Sequence, residues 1–430
     1  MIPLLLASLA SLSPLVASVV VERSGTRIGA RRIGTVAMLV SLGVSVGAAS
    51  VGPVGWPTIV PAFVAAIGLI AVAMSPVGDA DQTVFARILV VIGASAALVV
   101  SDHPIALAIV WVATIVPVAA ALRGRRVGAR SFLAYLVPSA SLVVLGVGLL
   151  SFGAPTAAAF ALAAGFAIRE AMVPGHSWLP SFVERAPMGL VVAFVAPQVG
   201  VYAHLCWLAD GLPPQLEYAL AAMGAVTAVF AAALGAVQRR ARRALGYLLM
   251  SQTALVAFGL EAHSAIGRSG ALLSWLVCGL AMAGLAMMTA ALEARRGALS
   301  FDRPSGSFRR IPILASAYLI VGLASVGLPG TLGFVAEDLL VQGSVQRFPL
   351  LGLTLIAATA LNGVAVVRGF FSLFTGSDRH AGERDLTGRE RAVVALLVGS
   401  LVLFGLWPAA PVGWLSEPDA SAPVAQAEAQ

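Results

Sequence analysis

Fourteen apolar stretches separated by short polar turns run through this sequence, and their length leaves it few folds to choose from. A helix that crosses the hydrocarbon core of a bilayer needs about 20 mostly apolar residues. By that measure the spans run 2–20, 33–52, 57–76, 84–101, 104–122, 131–152, 155–173 and 188–209. They continue at 215–237, 243–262, 269–292, 310–343 (interrupted), 349–374 and 392–410. In lipid only helices and closed barrels satisfy their own backbone groups. Stretches this long predict an all-α polytopic membrane protein with about 14 transmembrane helices. Composition agrees, with 59% hydrophobic and 11% charged residues. A soluble domain carries roughly 45–50% and about 25%. A soluble enzyme, a nucleic-acid binder and a disordered scaffold are thereby excluded. The first span has no basic segment ahead of its apolar core, so it is expected to stay in place as a helix rather than act as a cleaved signal. The Ala/Pro-rich end, residues 411–430, is expected to be a disordered polar tail.

The charges give the orientation. Lys and Arg total 27, all of them arginine, and the formal net charge is +7. Arg23, Arg27, Arg31 and Arg32 follow span 1, and Arg87 opens span 4. Arg123, Arg125, Arg126 and Arg130 follow span 5, and Arg185 follows span 7. Arg239, Arg240, Arg242 and Arg243 follow span 9; Arg295, Arg296, Arg303, Arg309 and Arg310 follow span 11. Arg379, Arg384, Arg389 and Arg391 follow span 13, whereas the loops after even spans hold only Arg268 and Arg347. Cytoplasmic loops are enriched in basic residues. The pattern predicts both termini outside, and it accounts for the positive charge without a nucleic-acid partner.

Two spans carry helix breakers in mid-pattern, around Pro174 and around Pro329. Proline removes a backbone donor and clashes with the preceding turn. Backbone freed at membrane depth must face protein or water, so both breaks belong in the interior. They fall at the fourth member of spans 4–8 and of spans 9–13. Broken helices at matching positions in two halves mark transporters built on inverted repeats. The expected organisation is residues 1–83 as N-terminal helices 1–3, 84–209 as a first five-helix repeat and 210–376 as a second, inverted one. Residues 377–410 then form a loop and helix 14. The alternative is a passive bundle with two proline kinks. Ionisable groups at membrane depth are costly and usually functional. Arg169 and Glu170 precede the first break; Glu337 and Asp338 follow the second. His176 in the first break, and Gln198 and His204 in span 8, are further candidates. The bland alternatives are a buried Arg169–Glu170 pair that fixes packing, snorkelling at Glu337–Asp338, and a helix cap at His176. The tryptophans read as interface anchors or core. Cys206 and Cys278 lie in apolar stretches and build neither a disulfide framework nor a metal cluster.

Phe166-Ala167-Ile168-Arg169-Glu170-Ala171-Met172-Val173-Pro174-Gly175-His176-Ser177-Trp178-Leu179-Pro180 resembles the helix-7 signature of the antiporter-like subunits of respiratory complex I. Ala324-Ser325-Val326-Gly327-Leu328-Pro329-Gly330-Thr331 with Gly333-Phe334-Val335-Ala336-Glu337 resembles their helix 12. Gly270-Ala271-Leu272-Leu273, Cys278-Gly279-Leu280 and Ala283-Gly284-Leu285 are similar to helix 11, and Arg243-Ala244-Leu245-Gly246-Tyr247 with Ser251-Gln252 to helix 10. Arg389-Glu390 before the last span also fits. The resemblance covers roughly residues 84–408 and is strongest to the M-type subunit. The same family serves membrane-bound hydrogenases, multi-subunit Na⁺/H⁺ antiporters and inorganic-carbon-accumulating complexes. It implies a proton route through a helix-5 glutamate, lysines in helices 7 and 8, histidines near helices 10 and 11, and a lysine or glutamate in helix 12. This sequence departs from that pattern. The helix-5 Trp-Glu is Trp111-Val112, and the helix-7 lysine is Arg169. The helix-8 lysine falls on Gln198, and the histidine positions hold Gln252 and Cys278. Only the helix-12 glutamate is kept, as Glu337.

A lysine relay works because burial brings an amine down from about 10.4 toward neutrality. Arginine starts above about 12.5, and neutralising it at pH 7 costs more than about 7 kcal/mol. Arg169 is therefore expected to be a fixed charge, with Glu170 or an acid from a neighbouring subunit as counter-ion. The resemblance implies a proton-translocating, antiporter-like subunit of a complex-I-like assembly in a bacterial-type inner membrane, such as an NADH:quinone oxidoreductase or a related hydrogenase, antiporter or inorganic-carbon complex. Glu337 would be its titrating group. The missing lysines, helix-5 glutamate and histidines support an alternative, a non-conducting scaffold paralogue that docks partner subunits. A stand-alone solute carrier is the third possibility. Other membrane subunits, the bilayer and protons are the expected partners. No cofactor is expected, because the sequence has no cysteine set for iron–sulfur clusters and no nucleotide loop.

Overall fold

The computed structural model describes residues 2–51, 56–99, 103–123, 126–208, 212–302, 304, 306, 308–376 and 383–416. Outside the described residues lie residues 417–430 of the expected tail, loop residues 377–382, Arg125, Arg303 and Arg379, and the ends of spans 2, 4 and 8 at 52, 100–101 and 209; the start of that tail, 411–416, is not disordered but belongs to a helix, Ala409–Ser416.

Among the described residues the chain forms 18 helices. The first six are α1 (Ile2–Glu22), α2 (Arg27–Val51), α3 (Trp56–Ala73), α4 (Gln82–Val99), α5 (Pro104–Leu122) and α6 (Arg126–Ser151). There follow α7 (Pro155–Arg169), α8 (Trp178–Arg185), α9 (Met188–Val195), α10 (Val199–Trp207), α11 (Pro214–Val237) and α12 (Ala241–Leu260). The last are α13 (Ala265–Arg296), α14 (Pro312–Ala324), α15 (Leu332–Arg347), α16 (Pro349–Phe374), α17 (Gly388–Leu406) and α18 (Ala409–Ser416). Five helices, α5, α7, α11, α14 and α16, open on a proline, whose missing N–H is no loss in a first turn. Thr387 and Glu390 form a capping box that starts α17. By length and composition, eight spans suffice to cross a membrane: α2, α5, α6, α9 with α10, α11, α12, α13 and α16. They become nine if α17 and α18, bent by 85° at their junction, count as one. The protein is a multi-pass, all-helical membrane protein.

Burial separates centre from periphery. The apolar window of α12 is 94% buried and that of α13 83%, against 28% for α2 and α6. Helix α12 packs against α8, α10, α11, α13, α15 and α16, and so forms the axis of the bundle. One end of that axis is tied by arginines. Arg242 Nε bonds Glu293 Oε2 at 2.6 Å, Arg240 Nη1 bonds Glu184 Oε1 at 2.5 Å, and Arg295 Nη2 bonds Glu390 Oε2 at 3.0 Å. Arg296 pairs with Glu383 and also donates to Leu373 O and Gly306 O. The basic clusters after spans 7, 9, 11 and 13 thus share one end of the molecule.

Three helices are interrupted, one more than the sequence suggests. Span 7 stops at Arg169 and restarts at Trp178 as α8. Ala171 takes a left-handed φ of 55°, and the amide of Met172 closes back onto Ala167 O at 2.9 Å, the usual geometry of a helix stop. Freed backbone groups are satisfied by side chains. Trp178 Nε1 donates to Ile168 O at 2.9 Å, and the Val173 amide donates to Thr227 Oγ1 at 3.0 Å. Span 12 stops at Ala324 and restarts at Leu332, across Gly327 (φ 81°) and Gly330 (φ 85°). Span 8, expected as one helix, is two. Pro197 breaks it, Gln198 is left-handed (φ 46°), and Trp275 Nε1 takes the Pro197 carbonyl at 3.1 Å.

Candidate functional site

The breaks meet the central helix. Residues Ser251, Gln252 and Thr253 put three consecutive polar side chains in the middle of α12, all buried. Ser251 donates to Ala228 O at 2.8 Å and accepts from Asn362 Nδ2 at 2.8 Å, which fixes α12 between α11 and α16. Gln252 and Thr253 face the breaks.

Arg169, 5% exposed, does not pair with Glu170. Among the described residues no carboxylate lies within 4.0 Å of it. Its Nη2 donates to Thr114 Oγ1 at 3.0 Å, and its Cζ sits 4.5 Å from the Trp111 ring centroid and 4.4 Å from that of Phe194. A guanidinium, weakly hydrated and planar, is the cation best suited to such an aromatic sandwich. Trp111 is itself held by its Nε1 bond to Ser139 Oγ at 3.1 Å. Its direct contacts are thus π faces and a hydroxyl, while Glu170 stays within electrostatic reach as the nearby opposite charge. Arg169 Nη1 has no partner.

Glu170 turns the other way, to the start of α10. Its carboxylate accepts from the backbone amides of Gly200 and Val201. The first amides of a helix have no intrahelical partner and favour an anion. A Cβ at Gly200 would collide with Glu170 Oε1, so glycine is required there. The break at Pro197 thus creates the N-terminus that Glu170 occupies.

From there a line of polar groups crosses the bundle. Arg169, Glu170, Gln198 and Thr253 line one cavity, with room for about one water (≈ 10 Å³ open to the centre of a water molecule). Gln198 Nε2 donates to Thr253 Oγ1 and to Cys278 Sγ, each at 3.2 Å. Cys278, Gln252, Ser325, Thr359 and Glu337 line a second cavity of ≈ 30 Å³, room for about two waters. Gln198 Oε1 and Gln252 Nε2 have no protein partner. Buried amide atoms of that kind are normally satisfied by water. Glu337, half-buried, accepts from the Thr359 hydroxyl and lies against Gly327, where a Cβ would meet Oε2. Asp338 is exposed and accepts from Gln342 Nε2 at 2.8 Å.

The sequence-predicted residues therefore divide. Arg169, Glu170, Gln198, Gln252 and Glu337 come together, and Pro174 and Pro329 stand in the breaks beside them. His176 lines neither cavity; its ring packs edge-on against Phe230 at 5.3 Å, and it does not cap α8. His204 lies further along α10, 3.1 Å from Glu261. Sequence reasoning missed Thr114, Phe194, Thr253 and Glu261. Among the described residues no group of three or more His, Cys, Asp and Glu side chains is placed to hold a metal.

Fold and site define a class: a helical membrane protein whose broken helices string buried polar groups across its interior. Residues 140–362, just over half of the chain, match the family described as NADH:quinone oxidoreductase/Mrp antiporter, TM. The chain belongs to that family of antiporter-like membrane subunits. It is 30% identical over 277 residues to NADH-quinone oxidoreductase subunit M of Mycobacterium tuberculosis, a match covering 62% of this chain and 50% of that protein. The chain thus spans about half the length of the curated relatives it matches. A chain of respiratory complex I from Thermus thermophilus shares the fold with a TM-score of 0.85 at 22% identity, over 96% of this chain and 98% of that one. A chain of the Mrp complex from Dietzia shares it with a TM-score of 0.84 at 14% identity, over 96% of each.

Proposed function

We propose that this chain translocates protons as one membrane subunit of a complex-I-like assembly in a bacterial inner membrane, beside other membrane subunits. Its redox or antiport chemistry would belong to those partners. The observation that carries the reading is the polar line from Arg169 through Gln198, Thr253, Cys278 and Gln252 to Glu337, with a cavity at each end. Protons would pass between waters and polar groups, with Glu337 the group that takes up and releases them and Arg169 a fixed field. Both termini would lie outside, in keeping with the shared end of the arginine clusters.

Fourteen spans arranged as two inverted five-helix repeats, residues 84–209 and 210–376, complete the proposal. Matched neighbours support it. The contacts α4–α5, α5–α6, α6–α7, α6–α8 and α4–α9 recur as α11–α12, α12–α13, α13–α14, α13–α15 and α11–α16. Residues 1–83 would then flank the repeats on one side and 377–410 on the other.

The enclosure of Arg169 by Trp111, Phe194 and Thr114 favours a second reading, a non-conducting scaffold. Proton flux into proteoliposomes separates the two. Wild-type protein conducts and Glu337→Gln does not if the first reading holds; a wild type no leakier than empty vesicles leaves the scaffold.

A further inference from the structure

A second set of titratable groups lies at the far end of α12, away from the arginine network. Helix α12 has 20 residues and so spans about 30 Å. Glu261, its C-cap, is 1% exposed. Neither of its oxygens accepts a hydrogen bond. Its neighbours are imidazoles: Oε1 is 3.1 Å from His204 Nε2, and Oε2 is 4.0 Å from His263 Nε2. A carboxylate this deep is costly unless paired or protonated, and among the described residues the basic groups within 4.0 Å of it are these two imidazoles. His263 opens to the surface, with 32% of its side chain exposed, and sits in a left-handed turn (φ 46°). The same Nε2 lies nearer still to Glu217 Oε2, at 3.7 Å, so the two carboxylates share it; Glu217 Oε1 is held by Arg347 Nη2 at 2.9 Å.

The inner side of this cluster leads to the polar line. His204 is four residues after Gly200 on α10, hence on the same helix face one turn further. Gly200 is the residue whose missing Cβ makes room for Glu170, and His204 lies within electrostatic reach of that carboxylate. The order from surface to interior is His263, Glu261, His204, Glu170, Gln198.

We propose that His263, Glu261 and His204 form a side entrance for protons, joining the end of the bundle opposite the arginines to Glu170 and its cavity. The proposal rests on the proton-translocating reading above. His263 takes a proton from solvent and gives one to Glu261 Oε2. Glu261 gives one to His204 Nε2, and His204 releases one toward Glu170. Each group gains and loses one proton, so the charge of the relay is restored after every passage. Imidazole is the side chain suited to both steps near neutral pH. The charged and titratable groups around the relay are Glu170 of α7, Glu217 of α11 and Arg347 of α15. They hold its mouth and its inner end in place.

The test compares proton flux in proteoliposomes of the full chain, driven by an imposed potential, for Glu261→Gln, His204→Gln and Glu337→Gln. Glu261→Gln keeps the size and polarity of the side chain, which limits misfolding. The side entrance predicts at least a tenfold loss in both of the first two variants. If Glu337→Gln blocks flux while those two stay within twofold of wild type, the side entrance is overturned and the Glu337 reading stands. If they lose flux while Glu337→Gln keeps it, the side entrance stands and the Glu337 role falls. If wild type does not conduct, infrared spectroscopy decides. The Glu261 carboxylic-acid band, assigned by its loss in Glu261→Gln, must exchange with deuterated solvent at least tenfold faster in wild type than in His263→Gln. Equal exchange, or no such band at any pH, makes the cluster a structural tie and overturns the proposal.

Discussion

The two broken helices solve one problem in opposite ways. Each sets a carboxylate against a glycine, Glu170 against Gly200 and Glu337 against Gly327. At the first break both charged groups are enclosed by protein, although Arg169 Nη1 has no partner. Glu170 is held by two backbone amides of α10, and Arg169 is clamped between two rings and a hydroxyl. At the second break, Glu337 has one hydroxyl partner and a cavity beside it, and among the described residues no cation accompanies it. Fixed partners lower the energy of one protonation state and so resist a change of charge; a lightly held carboxylate beside water is free to change. The first half fixes Arg169 as a standing charge and seats Glu170 on a helix start, and the second keeps a carboxylate that is held more lightly.

That contrast is broken or sharpened most strongly at Glu337. Glu337→Gln is expected to lower proton flux into proteoliposomes more than tenfold while leaving the thermal unfolding midpoint within a few degrees of wild type. A large loss of stability with flux retained would reverse the assignment of the two halves. The matching experiment at the first break is Gly200→Val. Its side chain would enter the space of the Glu170 carboxylate, and it is expected to destabilise by about 3 kcal/mol, the upper end for overpacking. Denaturation in detergent measures it. A cost below about 1 kcal/mol would mean that Glu170 is as loosely held as Glu337.

How much of this was legible beforehand follows from what each residue does to its own backbone. Pro174 and Pro329 announce their breaks because each stands next to a glycine, Gly175 and Gly330; proline alone does not, since Pro14, Pro61, Pro117 and Pro138 lie inside continuous helices. Pro197 lacks that neighbour, and span 8 read as continuous because its apolar run is long enough to cross alone. Nothing local shows that Gln198 turns left-handed. The partners of Arg169 were hidden for a different reason. Adjacent Glu170 is within electrostatic reach, as expected of a counter-ion, but neighbours on a helix point about 100° apart, and the direct contacts Thr114, Trp111 and Phe194 converge only in three dimensions. Glu261 and His263 sit at a helix end, where polar residues are ordinary, so only the burial of Glu261 against His204 sets them apart.

Thr114→Val tests the clamp on Arg169 directly. It removes a hydrogen-bond acceptor of a buried guanidinium and keeps the shape. A hydrogen bond to a charged group is worth about 1.5–3 kcal/mol, so a loss near about 2 kcal/mol is expected in the same denaturation measurement. A neutral result would place the hold on Arg169 in the two aromatic faces alone.

The smallest effect belongs to a site in neither half's interior. Asp81 caps the start of α4, its Oδ1 accepting from the Val84 amide at 2.8 Å and from Thr83 Oγ1 at 2.7 Å. Burial pushes its carboxyl up, but those hydrogen bonds and the nearby Arg87 and Arg27 outweigh it and hold the carboxyl below its ordinary value. A depressed carboxyl contributes stability above its unfolded value near 3.8, and that contribution is lost as pH falls through the lower folded value. Asp81→Ala should therefore cost about 1 kcal/mol at neutral pH, the usual worth of a cap, and the difference from wild type should shrink as the pH falls below that range. Proton flux should not change. If flux falls together with stability, then a loosened α4 is enough to disturb conduction, and the division between a structural first half and a working second half is too sharp.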